Sequence, residues 1–434
     1  MADTIFAPAT PPGISGVAVV RVSGPGARQC AGLFGAHALP LRSAVLRKLM
    51  DPQSGAVLDH ALLLRFDGPA SFTGEDIVEF HVHGGPAVVR GVTKALASVD
   101  GVRLAEPGEF TRRALMNGKV DLAQVEGIGD LLVAETAMQA QQAVALMEGR
   151  VSRLAGAWRN ALVSALASLE ASIDFSDDGV PDDVIDTVAS QLADTERSLM
   201  CELAASRVAE QIRLGFEVAL VGAPNVGKSM LLNAMARRDV AITSEFAGTT
   251  RDVLEVRLDL QGVPVTVLDT AGMRAADDPV ESIGIERARA RANQADVRVF
   301  LVDADTDAAT LGVPVHAEDI VVLSKADRRS SGLTNAVSGL TGQGLAALLD
   351  RIHQVIGART SSAGGLSHER HRDAVVRALS AVRRASPHLV AIPPRVEVAS
   401  AEIRVALDAF DFLVGRVDVE HVLDVVFARF CLGK

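Results

Sequence analysis

Cysteine is scarce: Cys30, Cys201 and Cys431 are the only three in 434 residues, and no two of them form a CxxC pair. That spacing suggests neither a disulfide framework nor a structural zinc site, and it fits a reducing compartment. Long apolar runs are missing too. Although 48% of the residues are apolar, none of the runs reaches the ~18 residues that suggest a membrane span. The opening Met1-Ala2-Asp3-Thr4 lacks a basic, apolar leader, so the expectation is a cytoplasmic protein with no membrane span. Excess positive charge is also absent. A net charge of −11 argues against a generally basic nucleic-acid surface, so any RNA contact is local or supplied by a partner. There is no internal repeat and no low-complexity tract.

What remains is a chain long enough for roughly three domains, each with its own core. Gly16–Val22 is a β-type apolar run that ends in the turn Ser23-Gly24-Pro25-Gly26. Further strands are expected at 45–50 and 61–66, around a turn-rich DPQSG, and at 77–83, before Gly84-Gly85-Pro86 opens a helix to Ala97. Residues 1–118 therefore read as an α+β domain. The period then changes, because Leu122, Val125, Ile128, Leu132, Leu154, Leu162, Leu166 and Leu169 recur at helical spacing. This helical region, 119–214, pauses at the breaker cluster 177–181 and resumes from about Asp183. Strand and helix signals alternate over 215–358, as a doubly wound parallel sheet requires. A polar joint at 360–365 leads to more helix, expected at 368–386 and 401–430. The fold class is thus multidomain α/β, with the doubly wound segment inserted into a helical domain made of 119–214 and 359–434.

The strongest motif sits at the start of the inserted segment. Residues 222–229 read Gly-Ala-Pro-Asn-Val-Gly-Lys-Ser, a GxxxxGKS loop between an apolar strand and an Ala/Leu-rich helix. Such a turn aims several backbone N–H groups and a helix N-terminus at one point, where a polyphosphate fits. Asn225, Val226, Gly227, Lys228, Ser229 and Met230 are the contacting candidates. Lys228 would reach the outer phosphates, and the Ser229 hydroxyl would ligate Mg²⁺, a hard cation that keeps oxygen ligands.

Downstream signals follow in the order a guanine-nucleotide switch needs. Within Ser244-Glu245-Phe246-Ala247-Gly248-Thr249-Thr250, Thr250 would approach Mg²⁺. In Asp269-Thr270-Ala271-Gly272, Asp269 would hold a metal-bound water and the Gly272 amide the γ-phosphate. Ser324-Lys325-Ala326-Asp327 places Asp327 to accept from the two donors on the guanine edge, a pair that adenine lacks, and Ser338-Gly339-Leu340 offers a backbone N–H to the guanine carbonyl. Two positions depart from the usual pattern: Ser324 stands for Asn or Thr, and Gly339 for Ala. The shorter hydroxyl would lose a brace to the phosphate loop, a loss of about 1 kcal/mol for one hydrogen bond. Met273 stands where Ras-like proteins carry a water-orienting glutamine, and a thioether cannot orient water. A monovalent cation held by Asn225 and loop oxygens of 244–249 would supply the positive charge, with Glu281 positioning the water indirectly.

Both ends of the chain add a longer pattern. Asp3-Thr4-Ile5, Ala9-Thr10-Pro11-Pro12-Gly13, Arg21-Val22-Ser23-Gly24, Phe72-Thr73-Gly74-Glu75-Asp76, Pro107-Gly108-Glu109-Phe110-Thr111 and Asn117-Gly118-Lys119-Val120-Asp121-Leu122 precede the nucleotide motifs. The chain closes on Phe430-Cys431-Leu432-Gly433-Lys434, a Cys-x-Gly-Lys terminus. Over its whole length it resembles the tRNA-modification GTPase family called MnmE or TrmE. The resemblance implies an N-terminal folate-binding domain that forms a homodimer, a helical domain, and an inserted GTPase domain whose dimerisation depends on K⁺. It implies a task as well. With an FAD-dependent partner of the MnmG/GidA family, such proteins place an aminomethyl or carboxymethylaminomethyl group at C5 of the tRNA wobble uridine. The one-carbon unit comes from a tetrahydrofolate, of the 5-formyl or methylene kind. By motif, Arg21, Glu79, Lys119 and Lys434 fall at the folate site, and Asn225, Ser244, Phe246 (through its carbonyl) and Thr249 around K⁺.

Cys431 beside Lys434 reads as a packing or positioning residue rather than a nucleophile. His81 and His83 share one side of a strand, but no further ligands for a metal stand nearby in the sequence. The competing function is a regulatory GTPase switch in ribosome or membrane assembly, with no folate chemistry.

Overall fold

The computed structural model describes residues 3–174, 182–238, 240–242, 255–269, 292–303, 314–329, 335–416, 427 and 433. The chain divides into two compact units, 1–129 with 411–434, and 130–410.

In the first unit, six strands form one sheet in the order β3-β4-β5-β2-β1-β6. They are β1 (Thr4–Pro8), β2 (Ser15–Ser23), β3 (Val45–Met50), β4 (Val57–Phe66), β5 (Ile77–Gly84) and β6 (Val102–Leu104). Neighbours run antiparallel except β1 and β6. Side chains of a strand alternate between faces, and here the two faces have different jobs. Val20, Val22, Phe80 and Val82 point to a core closed by helices α1 (Ala27–Leu33) and α2 (Pro86–Ala97). Phe34 from the end of α1 meets Phe80 edge-on, with ring centroids 5.4 Å apart. The opposite face carries Arg21, Glu79 and His81, with Arg21 directly across from Glu79 in the register. Helix α3 (Glu109–Met116) packs Phe110 against Ile5 and Ala7 in a smaller cluster. Next comes α4 (Leu122–Val133).

The second unit joins long helices to an α/β layer. Helix α5 (Ala137–Met147) opens on a capping box in which Thr136 and Gln139 exchange bonds, and α6 (Arg150–Asp174) and α7 (Asp182–Leu214) follow. After the sheet, the chain returns through helices Glu369–Leu389 and Val396–Val414. These pack back on the earlier helices: Arg383 pairs with Glu196 at 2.7 Å, and Arg213 donates to the Ser367 carbonyl at 2.9 Å. Trp158 donates to Ser198 Oγ at 2.9 Å and lies 5.6 Å from the Phe410 ring.

Between those helical stretches lies a five-stranded sheet in the order β11-β10-β7-β9-β8. Its strands are β7 (Phe216–Gly222), β8 (Glu255–Leu260), β9 (Val263–Asp269), β10 (Val297–Val302) and β11 (Ile320–Leu323). All neighbours are parallel except the edge pair β8 and β9. Strands buried on both faces read as unbroken apolar runs, and β10, Val-Arg-Val-Phe-Leu-Val, is buried at every position. Arg298 is admitted there because Asp319 binds it through two bonds, at 2.8 and 2.7 Å. Helices α8 (Lys228–Ala236) and Leu345–Thr360 pack their apolar faces on the sheet. The chain leaves β7 toward β9 on one side and resumes at β10 on the other, so the carboxyl end of β7 is a topological switch point, where open α/β sheets bind ligands.

Some sequence expectations shift. The strand expected at 61–66 begins at Val57. Of the helical stretch expected over 401–430, the first described helix begins at Val396 and stops at Val414; beyond residue 416 only 427, which is helical, and 433 are described. Gly415 ends that helix with φ 79°, as Gly415 N–H bonds the Phe412 carbonyl (3.2 Å) and Arg416 N–H the Asp411 carbonyl (2.8 Å). This is a Schellman closure, which an apolar period does not announce. The breaker cluster 177–181 lies outside the described residues. Among the described residues, no helix is long and apolar enough to cross a membrane.

Phe80 is fully buried at the centre of the first core. Phe80→Ala is expected to cost about 3–5 kcal/mol, read as an earlier denaturant transition of the N-terminal unit by circular dichroism.

Candidate nucleotide site

The carboxyl end of β7 carries the phosphate-loop candidate. Gly222 must be glycine because a Cβ there would stand 2.6 Å from the Leu301 carbonyl oxygen and 2.9 Å from Val226. Asn225 (φ 61°) and Gly227 (φ 113°) then take left-handed conformations, which turn the chain into α8. Asparagine and glycine are the residues that tolerate them best. Lys228, 4% exposed, folds its ammonium back over the loop and donates to the carbonyls of Gly222 (2.7 Å) and Ala223 (3.0 Å). Burial pulls its pKa down, while the nearby Asp269 charge pushes the other way. Ser229 Oγ donates to Asp269 Oδ2 at 2.6 Å, so the end of β9 meets the first turn of α8. A hydroxyl and a buried carboxylate side by side form the all-oxygen donor set that suits Mg²⁺.

The second loop follows β11. Lys325 adopts a left-handed conformation (φ 56°), and Asp327 sits in the short 3₁₀ turn Ala326–Arg328. Asp327 Oδ1 accepts from Ser338 Oγ at 2.5 Å, a bond that lowers the pKa of the carboxyl. The same Ser338 oxygen accepts from the N–H groups of Leu340 and Thr341, both at 3.2 Å. Residues 324–327 and 338–340 are therefore one assembly, tied further by Ala326 N–H to the Val337 carbonyl at 3.1 Å.

Gly339 joins this assembly to the phosphate loop. A Cβ built on it would come within 2.6 Å of Leu231 N and Met230 C, both backbone atoms of α8. An alanine, usual for this motif class, does not fit here without moving a loop. The Ser324 hydroxyl, 2% exposed, has no hydrogen-bond partner among the described residues. Among the described residues no brace runs from this hydroxyl to the phosphate loop, and the backbone of Gly339 brings the two loops together.

A second cluster occupies the outer face of the N-terminal sheet. Arg21 Nε donates to Glu79 Oε1 at 2.9 Å, and Glu79 Oε2 lies 3.2 Å from His81 Nε2. The guanidinium of Arg21 lies 5.9 Å from the Phe72 ring centroid and 5.7 Å from that of Phe110. It also reaches the Gly433 carbonyl at 3.5 Å. Gly433 (φ 93°) is so close to Pro8 that a Cβ would stand 2.2 Å from its carbonyl oxygen. The Lys119 stem lies against Gly74. Phe72, Phe110, His81 and Gly433 were not singled out as site residues from the sequence, although three of them sit inside the quoted motifs.

Comparison with known proteins covers both regions. The family described as MnmE helical domain matches residues 122–431, and the one described as GTP-binding protein TrmE N-terminus matches 4–119. The chain belongs to the MnmE family. Its relatives include the tRNA modification GTPase MnmE of Ruegeria pomeroyi, 52% identical over 432 residues and covering 100% of both chains. The proteins of that name from Cereibacter sphaeroides (51%) and Roseobacter denitrificans (50%) also match over 100% of both chains.

In this MnmE-family chain the structure gathers Asn225, Val226, Gly227, Lys228, Ser229, Met230 and Asp269 at one end of the sheet. Ser324, Lys325, Ala326, Asp327, Ser338, Gly339 and Leu340 form the adjoining loop assembly. Ser244, Glu245, Phe246, Ala247, Gly248, Thr249, Thr250, Thr270, Ala271, Gly272, Met273, Glu281, Cys431 and Lys434 lie outside the described residues. Gly339→Ala forces backbone apart. Overpacking of this kind costs about 1–3 kcal/mol, so GDP affinity should fall at least severalfold by titration calorimetry, although alanine is the common residue for the motif.

Proposed function

We propose that this chain hydrolyses GTP and acts in tRNA modification, as the names of its full-length relatives say of them. The observation that carries the reading is the backbone contact of Gly339 with Met230 and Leu231, which sets a phosphate loop and an Asp327-bearing loop edge to edge. One molecule that holds a polyphosphate at one end and a guanine at the other fits both. Lys228 would release its two loop carbonyls and pair with the outer phosphates, a modest exchange because its ammonium is already dehydrated. Asp327, ionised well below neutral pH, would accept from N1–H and the 2-amino group of guanine.

Ser229 and Thr250 would hold Mg²⁺, with Asp269 beside them. Asn225, Ser244, Phe246 and Thr249 would hold K⁺. When bound, these cations supply positive charge at the phosphate oxygens, and a tetrahydrofolate supplies the one-carbon unit. Glu281 would position the attacking water, since Met273 has no polar atom for that task. In the N-terminal unit, Arg21 and Lys119 offer cations for a glutamate tail and Glu79 an acceptor for pterin N–H donors, with Lys434 close behind Gly433 in sequence. The Arg21 guanidinium, paired with Glu79 and 5.9 and 5.7 Å from the centroids of two aromatic rings, suits a flat, polar heterocycle.

We further propose the division 1–118, 119–214, 215–358 and 359–434, a homodimer built through the N-terminal domain, an MnmG/GidA-family FAD-dependent partner and a cytoplasmic location. The packing of Arg383 on Glu196 and of Trp158 beside Phe410 supports one helical domain interrupted by the nucleotide domain.

Mass analysis of wobble uridine in cells lacking this chain tests the task. The C5 aminomethyl-type groups should disappear, and unchanged nucleosides would reject the assignment. For the chemistry, GTP turnover should be severalfold faster in KCl than in NaCl at equal ionic strength. Equal rates would remove K⁺ from the account.

A further inference from the structure

The base loop needs an anchor that its first side chain does not provide. Ser324 is buried, yet its hydroxyl has no partner among the described residues. Meanwhile Lys325 holds a left-handed backbone (φ 56°) that a non-glycine residue adopts only when its surroundings impose it. Backbone bonds hold part of it, Ser324 N–H to the Val302 carbonyl at 2.9 Å and Ala326 N–H to the Val337 carbonyl at 3.1 Å, and one guanidinium adds the side-chain contacts. Arg329 Nε donates to the Ser324 carbonyl at 3.0 Å, and Arg329 NH2 donates to Asp303 Oδ1 at 2.5 Å. The other oxygen of Asp303 accepts from Lys325 Nζ at 3.2 Å.

Three anchor points are thereby tied together. Ser324 is the first residue of the loop, Arg329 follows its 3₁₀ turn, and Asp303 stands one residue beyond the end of β10. Asp327 rides on the short arc between Ser324 and Arg329, so the backbone that carries it is held by whatever holds those two residues, while Ser338 Oγ donates to the carboxylate itself. A planar guanidinium fixes the direction of both bonds at once, which one ammonium cannot do. The Arg329 side chain is 17% exposed, against 45% for Asp303, so the guanidinium end of the pair is the better buried.

We propose that Arg329 is a positioning residue for guanine recognition, bracing the base loop through the Ser324 carbonyl and Asp303 where the side chain at 324 gives no support. This rests on reading Asp327 as the guanine acceptor. Guanine presents two donors to that carboxylate and hypoxanthine only one, because it lacks the 2-amino group. A mis-aimed carboxylate therefore harms GTP more than ITP.

The test measures dissociation constants of GTP and ITP for the full chain by competition with a fluorescent GDP, together with Tm. In Arg329→Ala, GTP affinity should fall about tenfold, about 1.4 kcal/mol, and the GTP-over-ITP preference should shrink about fivefold. Arg329→Lys keeps the charge but loses the fork, and should leave the preference similarly reduced at wild-type Tm. If Arg329→Ala proves too unstable to assay, the lysine variant alone carries the reading. An unchanged GTP-over-ITP preference, or equal losses for both nucleotides alongside a lowered Tm, would overturn the brace. Asp327→Asn, assayed with GTP and xanthosine triphosphate, separates the two levels of the argument. Should it keep the wild-type preference, the base assignment falls and the brace with it. Should it switch toward xanthine while Arg329 variants retain GTP-over-ITP selectivity, only the brace falls.

Discussion

The nucleotide unit depends on a contact between two stretches of main chain. At Gly339 the base loop approaches the first turn of α8 so closely that no side-chain atom fits between them. Backbone cannot swing aside as a long side chain does, so the distance between the phosphate end and the base end is set by covalent geometry and by the sheet beneath. Ser229 donates to Asp269 and Ser338 to Asp327, so a hydroxyl helps to orient the carboxylate at either end.

The N-terminal unit reaches its polar site by another route. A strand offers alternate residues to opposite faces, and pairing β2 with β5 sets Arg21 against Glu79 while the intervening valines and Phe80 close the core. One register therefore builds both the core and the polar face. Slipping it by a single residue would bury the ion pair and expose the core. Phe72, Phe110 and the Gly433 carbonyl complete the surroundings of Arg21 from three distant segments.

Much of this was legible in the chain. The phosphate loop was readable because glycine, lysine and serine at fixed spacing have few other uses between a strand and a helix. The helix from Pro86 and the long helix ending at Leu214 followed from turn residues and apolar period, both local properties. Within the helical stretch expected over 401–430, the break after Val414 was not legible, because it lies in the conformation of Gly415 while apolar spacing continues past it. The antiparallel edge strand β8 was equally hidden, since pairing direction leaves little trace in a short apolar stretch.

Sequence alone determined the class of each segment, the order of the nucleotide motifs and the family, because these depend on local periodicity and on residue types at fixed separations. Tertiary structure decided which residues meet. Arg329 lies 26 positions from Asp303 in the chain, and Gly339 more than a hundred from the α8 turn it touches. No spacing rule links such pairs. They come together only because five strands, most of them parallel, bring their loops to the same end of one sheet.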